Sequence, residues 1–217
     1  MPTLNCMNLR NHRSNRVRRA LGWVLMLAIA ALPLRATTVT PPEFTQLVRE
    51  SDYVVRAVVK SIRAELTAKP GKRAMVHSLV ELEVKEIITG TPPTPLVLKV
   101  LGGKLGDQEM YISGAPRFVV GEESIFFVQG NGTQIYPLAR MMHGHYPVLK
   151  DAASGREYVA RSNGEPLAST VEVSQPMHGR ETRTAARQVA AEQAALSPAD
   201  FAAQIRTAAK ENSAREK

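Results

Sequence analysis

The sequence predicts a mainly β fold: a small β-barrel with a short helix before it and a helical appendage after it. Three observations carry this. Short runs rich in β-branched and aromatic residues recur from Tyr53 to Ser162. Glycine- and proline-rich turn signals separate them at regular intervals. Beyond Leu167 the chain becomes alanine-rich and polar, a change from strand to helix composition.

The first segment reads as a leader. Residues 1–20 contain Arg10, Arg13, Arg16, Arg18 and Arg19 and no acidic residue. The apolar run Leu21–Leu34 follows, then Arg35-Ala36. A basic start, a short apolar run and a small-residue exit make a secretory signal peptide over residues 1–36. The run is shorter than the roughly 20 residues that span a bilayer, so cleavage after Ala36 leaves no stable membrane span. The expected location is periplasmic or secreted, in a bacterium.

Removing the leader changes the charge argument. Of the 28 Lys+Arg, six lie in residues 1–36 with none of the 20 Asp+Glu, so 22 face 20 in the mature chain and the net charge falls from +8 to +2. Nucleic-acid binding needs a clustered basic surface, and this balance argues against it. Cys6 is the only cysteine and Trp23 the only tryptophan, and both leave with the leader. Disulfide and thiol chemistry are then excluded.

In the mature chain, Thr40-Pro41-Pro42-Glu43 reads as a capping box opening a helix whose apolar face is Phe44, Leu47 and Val48. Tyr53–Ile62 reads as a long strand with apolar residues at both parities, as in strands that bend in barrels. Thr67–Arg73 is a turn. In Val76–Ile88, Val80, Leu82 and Val84 alternate with Glu81, Glu83 and Lys85, which predicts a half-buried strand. Pro95–Leu101, Glu109–Ser113, Ser124–Gln129, Met141–Lys150 and Glu157–Ser162 read as further short strands, and Arg117–Val120 as a short apolar segment ending at Gly121-Glu122-Glu123. Between them, Gly102, Gly103, Gly114, Pro116, Gly121 and Glu122 are expected to form structural corners. The barrel domain is expected over 37–167, a partly helical or disordered linker over 168–196, and a last helix and tail over 197–217. Ser197 caps that helix, Pro198 opens it, and Phe201, Ile205, Ala208 and Ala209 form its apolar stripe.

The pattern GG…G…GAP.F..GEE..FFV followed by HGHYPV resembles a group of exported bacterial proteins, over roughly Pro42 to Tyr158. The resemblance implies an OB-like barrel of the tissue-inhibitor-of-metalloprotease and netrin type. It also implies an exported protein partner, such as a secreted matrixin-type protease. Tissue inhibitors chelate the protease zinc with an N-terminal cysteine. The expected mature start is Thr37, so that mechanism does not carry over.

The most chemical-looking residues are His143 and His145. In a strand, i and i+2 share a face, so both imidazoles could meet one metal ion, with Met141 and Met142 as soft donors suited to copper. Gly144 between them instead suggests a turn or bulge. Glu122-Glu123 has no sign of the separated environments that paired catalytic carboxylates need. GGKLGD lacks the spacing of a phosphate loop, and no G-x-S-x-G, S-x-x-K or H-E-x-x-H occurs. Arg56, Lys60 and Arg63 form a basic stripe that reads as a solvated face. No cofactor is indicated. These readings favour a non-enzymatic binding or inhibitor-like module, with a metal-binding envelope protein as the alternative.

Overall fold

The structure, a computed structural model, describes residues 40–68, 74–151, 154–177, 179 and 182–215. The leader over 1–36, the tip of the turn at Lys69 to Arg73, and His178 lie outside them. The elements are α1 (Phe44–Glu50), β1 (Tyr53–Thr67), β2 (Met75–Gly90), β3 (Leu96–Leu101), β4 (Gly103–Leu105), β5 (Gln108–Met110), β6 (Glu123–Val128), β7 (His145–Lys150), β8 (Glu157–Val159), α2 (Ala185–Ala194) and α3 (Pro198–Arg215). The fold is mainly β, with the short helix in front and the helices behind.

Helix α1 starts later than the capping box implies. Its N-cap is Glu43, with no side-chain cap. A residue before proline is driven out of the α region, which keeps Thr40 and Pro41 out of the helix. The Glu43 carboxylate instead accepts a hydrogen bond from Ser174 Oγ at 3.0 Å.

Six strands form an antiparallel sheet in the order β3-β2-β1-β6-β7-β8, and β4 and β5 form a separate hairpin. The sheet is not closed into the expected barrel, since β3 and β8 remain its two edges. An irregular segment after β6 spans part of the gap. Leu101 N donates to Ile135 O at 3.1 Å. Asn131 Oδ1 accepts from Lys99 N at 3.1 Å, and its Nδ2 donates to Val97 O at 2.8 Å. Pro137 lies in this segment and has no amide hydrogen to add to a ladder. The strand expected over Glu109–Ser113 shrinks to β5, and the short apolar segment Arg117–Val120 lies outside any strand.

Strand β1 is apolar at both parities because both of its faces are buried. Val55, Ala57 and Val59 face a core with Val80, Leu82, Leu98, Phe126 and Leu138. Val54 faces a second core, with Ile125, Phe127 and Tyr146 on the sheet and Leu47, Phe201 and Ile205 on helices α1 and α3. The strand also bends as expected: its register against β2 shifts at Val54/Val55, Arg56/Ala57 and Val59/Ser61, and helices cover its other side. Phe201 lies 5.0 Å from the Tyr146 ring and 5.9 Å from Phe44. Asn212 Nδ2 of α3 donates to Thr45 O of α1 at 2.9 Å, and Arg206 pairs with Glu86 of β2.

The alanine-rich stretch is tied down as well. Leu167 and Val173 belong to the α1/α3 core. Val159 N donates to Leu196 O at 2.9 Å, and Leu196 N to Leu167 O at 2.8 Å. Arg156 donates to the carbonyls of Gln193 (3.1 Å) and Ala195 (3.2 Å), capping the end of α2. Ser197 Oγ accepts from Asp200 N at 3.1 Å, which starts α3 as its sequence implies.

Candidate functional site

A groove of about 910 Å³ opens where the glycine corners meet the start of β7. Its walls come from Gly114–Arg117, Gly121–Glu123, Met142, β7 and the Ser162–Gly164 turn, with His145 among the lining residues. The site is therefore assembled from segments distant in sequence and held by β6 and β7.

His145 pairs across the strands with Phe126, and their rings stack at 5.4 Å. Its Nε2 lies 3.0 Å from Ser124 Oγ and its Nδ1 3.2 Å from Ser162 Oγ. Burial pushes its pKa down to about 4, so the ring is neutral, with one nitrogen donating and one accepting. Ser124 is only 2% exposed. A serine activated by histidine needs an open nucleophile and a group that orients the base. Here the more exposed hydroxyl is Ser162, and the partners on both ring nitrogens are serines. The chain Ser124–His145–Ser162 ties β6, β7 and the Ser162 turn together.

His143 is placed differently from the strand reading. It sits in a 3-10 turn, Met141–Gly144, that runs directly into β7. The i, i+2 alternation of a strand therefore does not extend to it. It is buried, and its Nδ1 has no hydrogen-bond partner in the structure. Burial first, then the positive Arg161 and Arg140, push its pKa down to about 4. Among the described residues no cluster of three or more His, Cys, Asp or Glu could hold a metal ion. Gly144 has a steric role: a Cβ there would lie 2.6 Å from Ala139 O and 3.0 Å from Phe127 O. The turn packs backbone against backbone on β6, which only glycine allows.

The turn is entered through Arg140 and Met141, at φ 54° and 56°. Non-glycine residues are uncommon there. Arg140 is held by two hydrogen bonds to the Glu50 carboxylate, 2.8 and 2.7 Å, from the last turn of α1. This pairing lowers the Glu50 pKa and raises that of Arg140.

Each corner residue sits at a bend or close approach. Gly102, Gly103, Gly114 and Gly121 all have positive φ. A Cβ on Gly103 would come within 2.2 Å of Ser78 Oγ. Pro116 O accepts from Tyr136 Oη at 2.7 Å. Glu122 O accepts from Val59 N at 3.0 Å, and Gly121 N donates to Val59 O at 2.9 Å. The adjacent Glu123 pairs with Arg56, which also reaches Glu157 at 2.7 Å. Lys60 pairs with Glu81 at 2.7 Å. The basic stripe is thus mostly neutralised, and only Arg63 has no such partner within the described ion pairs.

Sequence reasoning misses Ser124, Ser162 and Arg140, because their roles arise from contacts between distant segments. It also misses how the corner segment is exposed. Phe118 turns inward onto Phe126 and Tyr136, at 5.9 and 6.3 Å. The following Val119 and Val120 are 50% and 57% exposed. The bracket Gly114-Ala115-Pro116 and Gly121 is the one signal that this apolar run is a loop rather than a strand. No helix among the described residues is long and apolar enough to cross a membrane. No protein-family model and no curated protein matches the chain.

Proposed function

We propose that the chain is an exported, non-enzymatic binding module whose glycine-corner surface engages another exported protein. The observation that supports this reading best is the pair Val119 and Val120, large apolar side chains left in water on a segment pinned at both ends. Contiguous apolar surface of this kind can form the core of a partner site. The neighbouring groove adds polar rim groups, Arg117, Lys150 and Glu157, around an apolar floor, the anatomy of a protein-binding patch. The inhibitor-like resemblance supplies the partner class, a secreted protease.

The test is capture of exported proteins on the immobilised protein, beside a Val119→Asp/Val120→Asp variant. One saturable partner, lost in the variant and inhibited on titration if it is a protease, is the expected result. Capture that ignores the substitution, or no saturable partner across growth conditions, removes the reading. No observation favours the metal alternative at His143 and His145, since both nitrogens of His145 already meet serine hydroxyls.

A further inference from the structure

Strand β1 is longer than its neighbour on one side. It pairs with β2 along its full length, from Tyr53 to Thr67. On its other edge β6 covers only Tyr53–Val58, and Gly121 and Glu122 bond Val59. Beyond that point no strand among the described residues pairs with the second edge. An open edge of this kind is a template for another strand.

The sequence along that edge is Ser61-Ile62-Arg63-Ala64-Glu65-Leu66-Thr67. We infer that this edge is self-complementary and joins two copies of the chain, antiparallel, about a two-fold axis at Ala64. In that register Arg63 faces Glu65 of the second copy, Ile62 faces Leu66, and Ser61 faces Thr67. Directly opposed residues contact each other in an antiparallel pair. Ile62 and Leu66 are 39% and 51% exposed in the single chain, and the pairing covers both. Glu65 already accepts from Lys99 Nζ at 3.2 Å, and a carboxylate has room for a second cationic donor. Neighbouring symmetric registers are disfavoured. Centring on Arg63 or on Glu65 sets like charges face to face. The contact is isologous and closed, so it gives a dimer rather than a fibre.

Cysteine chemistry tests the register directly, because Cys6 is the only native cysteine. In a Cys6→Ser background, Ala64→Cys places two thiols on opposed residues about 4.5–5.5 Å apart between Cα atoms, within disulfide reach. Oxidation gives a covalent dimer. Ile62→Cys, opposed to Leu66, does not cross-link. By analytical ultracentrifugation, Arg63→Glu weakens the dimer about tenfold or more, and Arg63→Glu/Glu65→Arg restores it. Thermal melts of each variant separate misfolding from dissociation, and the two cysteine variants decide the matter if the charge variants misfold. A monomer at all accessible concentrations, equal cross-linking at positions 62 and 64, or a dimer indifferent to Arg63→Glu overturns the inference.

Discussion

At the scale of single residues, the two buried histidines make the protein acid-sensitive. Each titrates near 6.5 in an unfolded chain and near 4 in the fold. Between these values the unfolded state binds the proton and the folded state does not. The stability that depends on their neutrality is therefore complete above about pH 6.5 and is lost as the pH falls towards 4. By pH 5 the loss is about 2 kcal/mol for each ring. Urea unfolding at pH 7 and pH 5 should show the drop, and His145→Gln should shrink it. If the pH slope is the same in the variant, His145 is not its source. Gly144→Ala should destabilise the protein by about 1–3 kcal/mol through steric overlap, because its Cβ meets the backbone of Ala139 and Phe127 rather than a movable side chain. Thermal melts read this directly. The Gly144 turn was visible in the sequence as a glycine between two histidines. What the glycine packs against was not, since Ala139 and Phe127 come near it only in the fold.

At the scale of elements, α3 completes the core on the helix-covered side of the sheet. Phe201 is fully buried between Phe44, Phe127 and Tyr146. Phe201→Ala should lower stability by about 3–5 kcal/mol in urea unfolding; a change below 1 kcal/mol would mean that α3 does not complete this core. Strand β2 was legible because one of its faces is polar: Val80 and Leu82 reach the core and Glu81 and Glu83 do not. Strand β1 was legible as a bent strand, as its register shifts against β2 show, but the burial of its second face was not, because the helix that covers it is far away in sequence. The stripe of α3 was readable, and its docking on the same chain is now plain. That the sheet stays open was not legible, because the gap beside β3 is bridged by irregular contacts, the Leu101–Ile135 backbone bond and the Asn131 side chain, which leave no hydrophobic pattern.

For the whole molecule, the two cores share β1 and β6, so neither should melt alone. Tyr53 and Tyr136 sit in one core and Tyr146 in the other. Near-ultraviolet signals from these tyrosines and the far-ultraviolet backbone signal should therefore fall in one coincident transition. Two separated steps would show that the α1/α3 core is an independent unit. The near-balance of charge beyond residue 36, 22 basic against 20 acidic residues, was legible and leaves little net charge for long-range attraction. The meeting of α1 with α3 has one more consequence. A chain delivered from its N-terminus releases α1 well before α3. The face that Phe44, Leu47 and Val54 offer stays bare until Pro198–Arg215 is free to fold back over it. Completion of the native state thus waits for α3, however early the sheet forms.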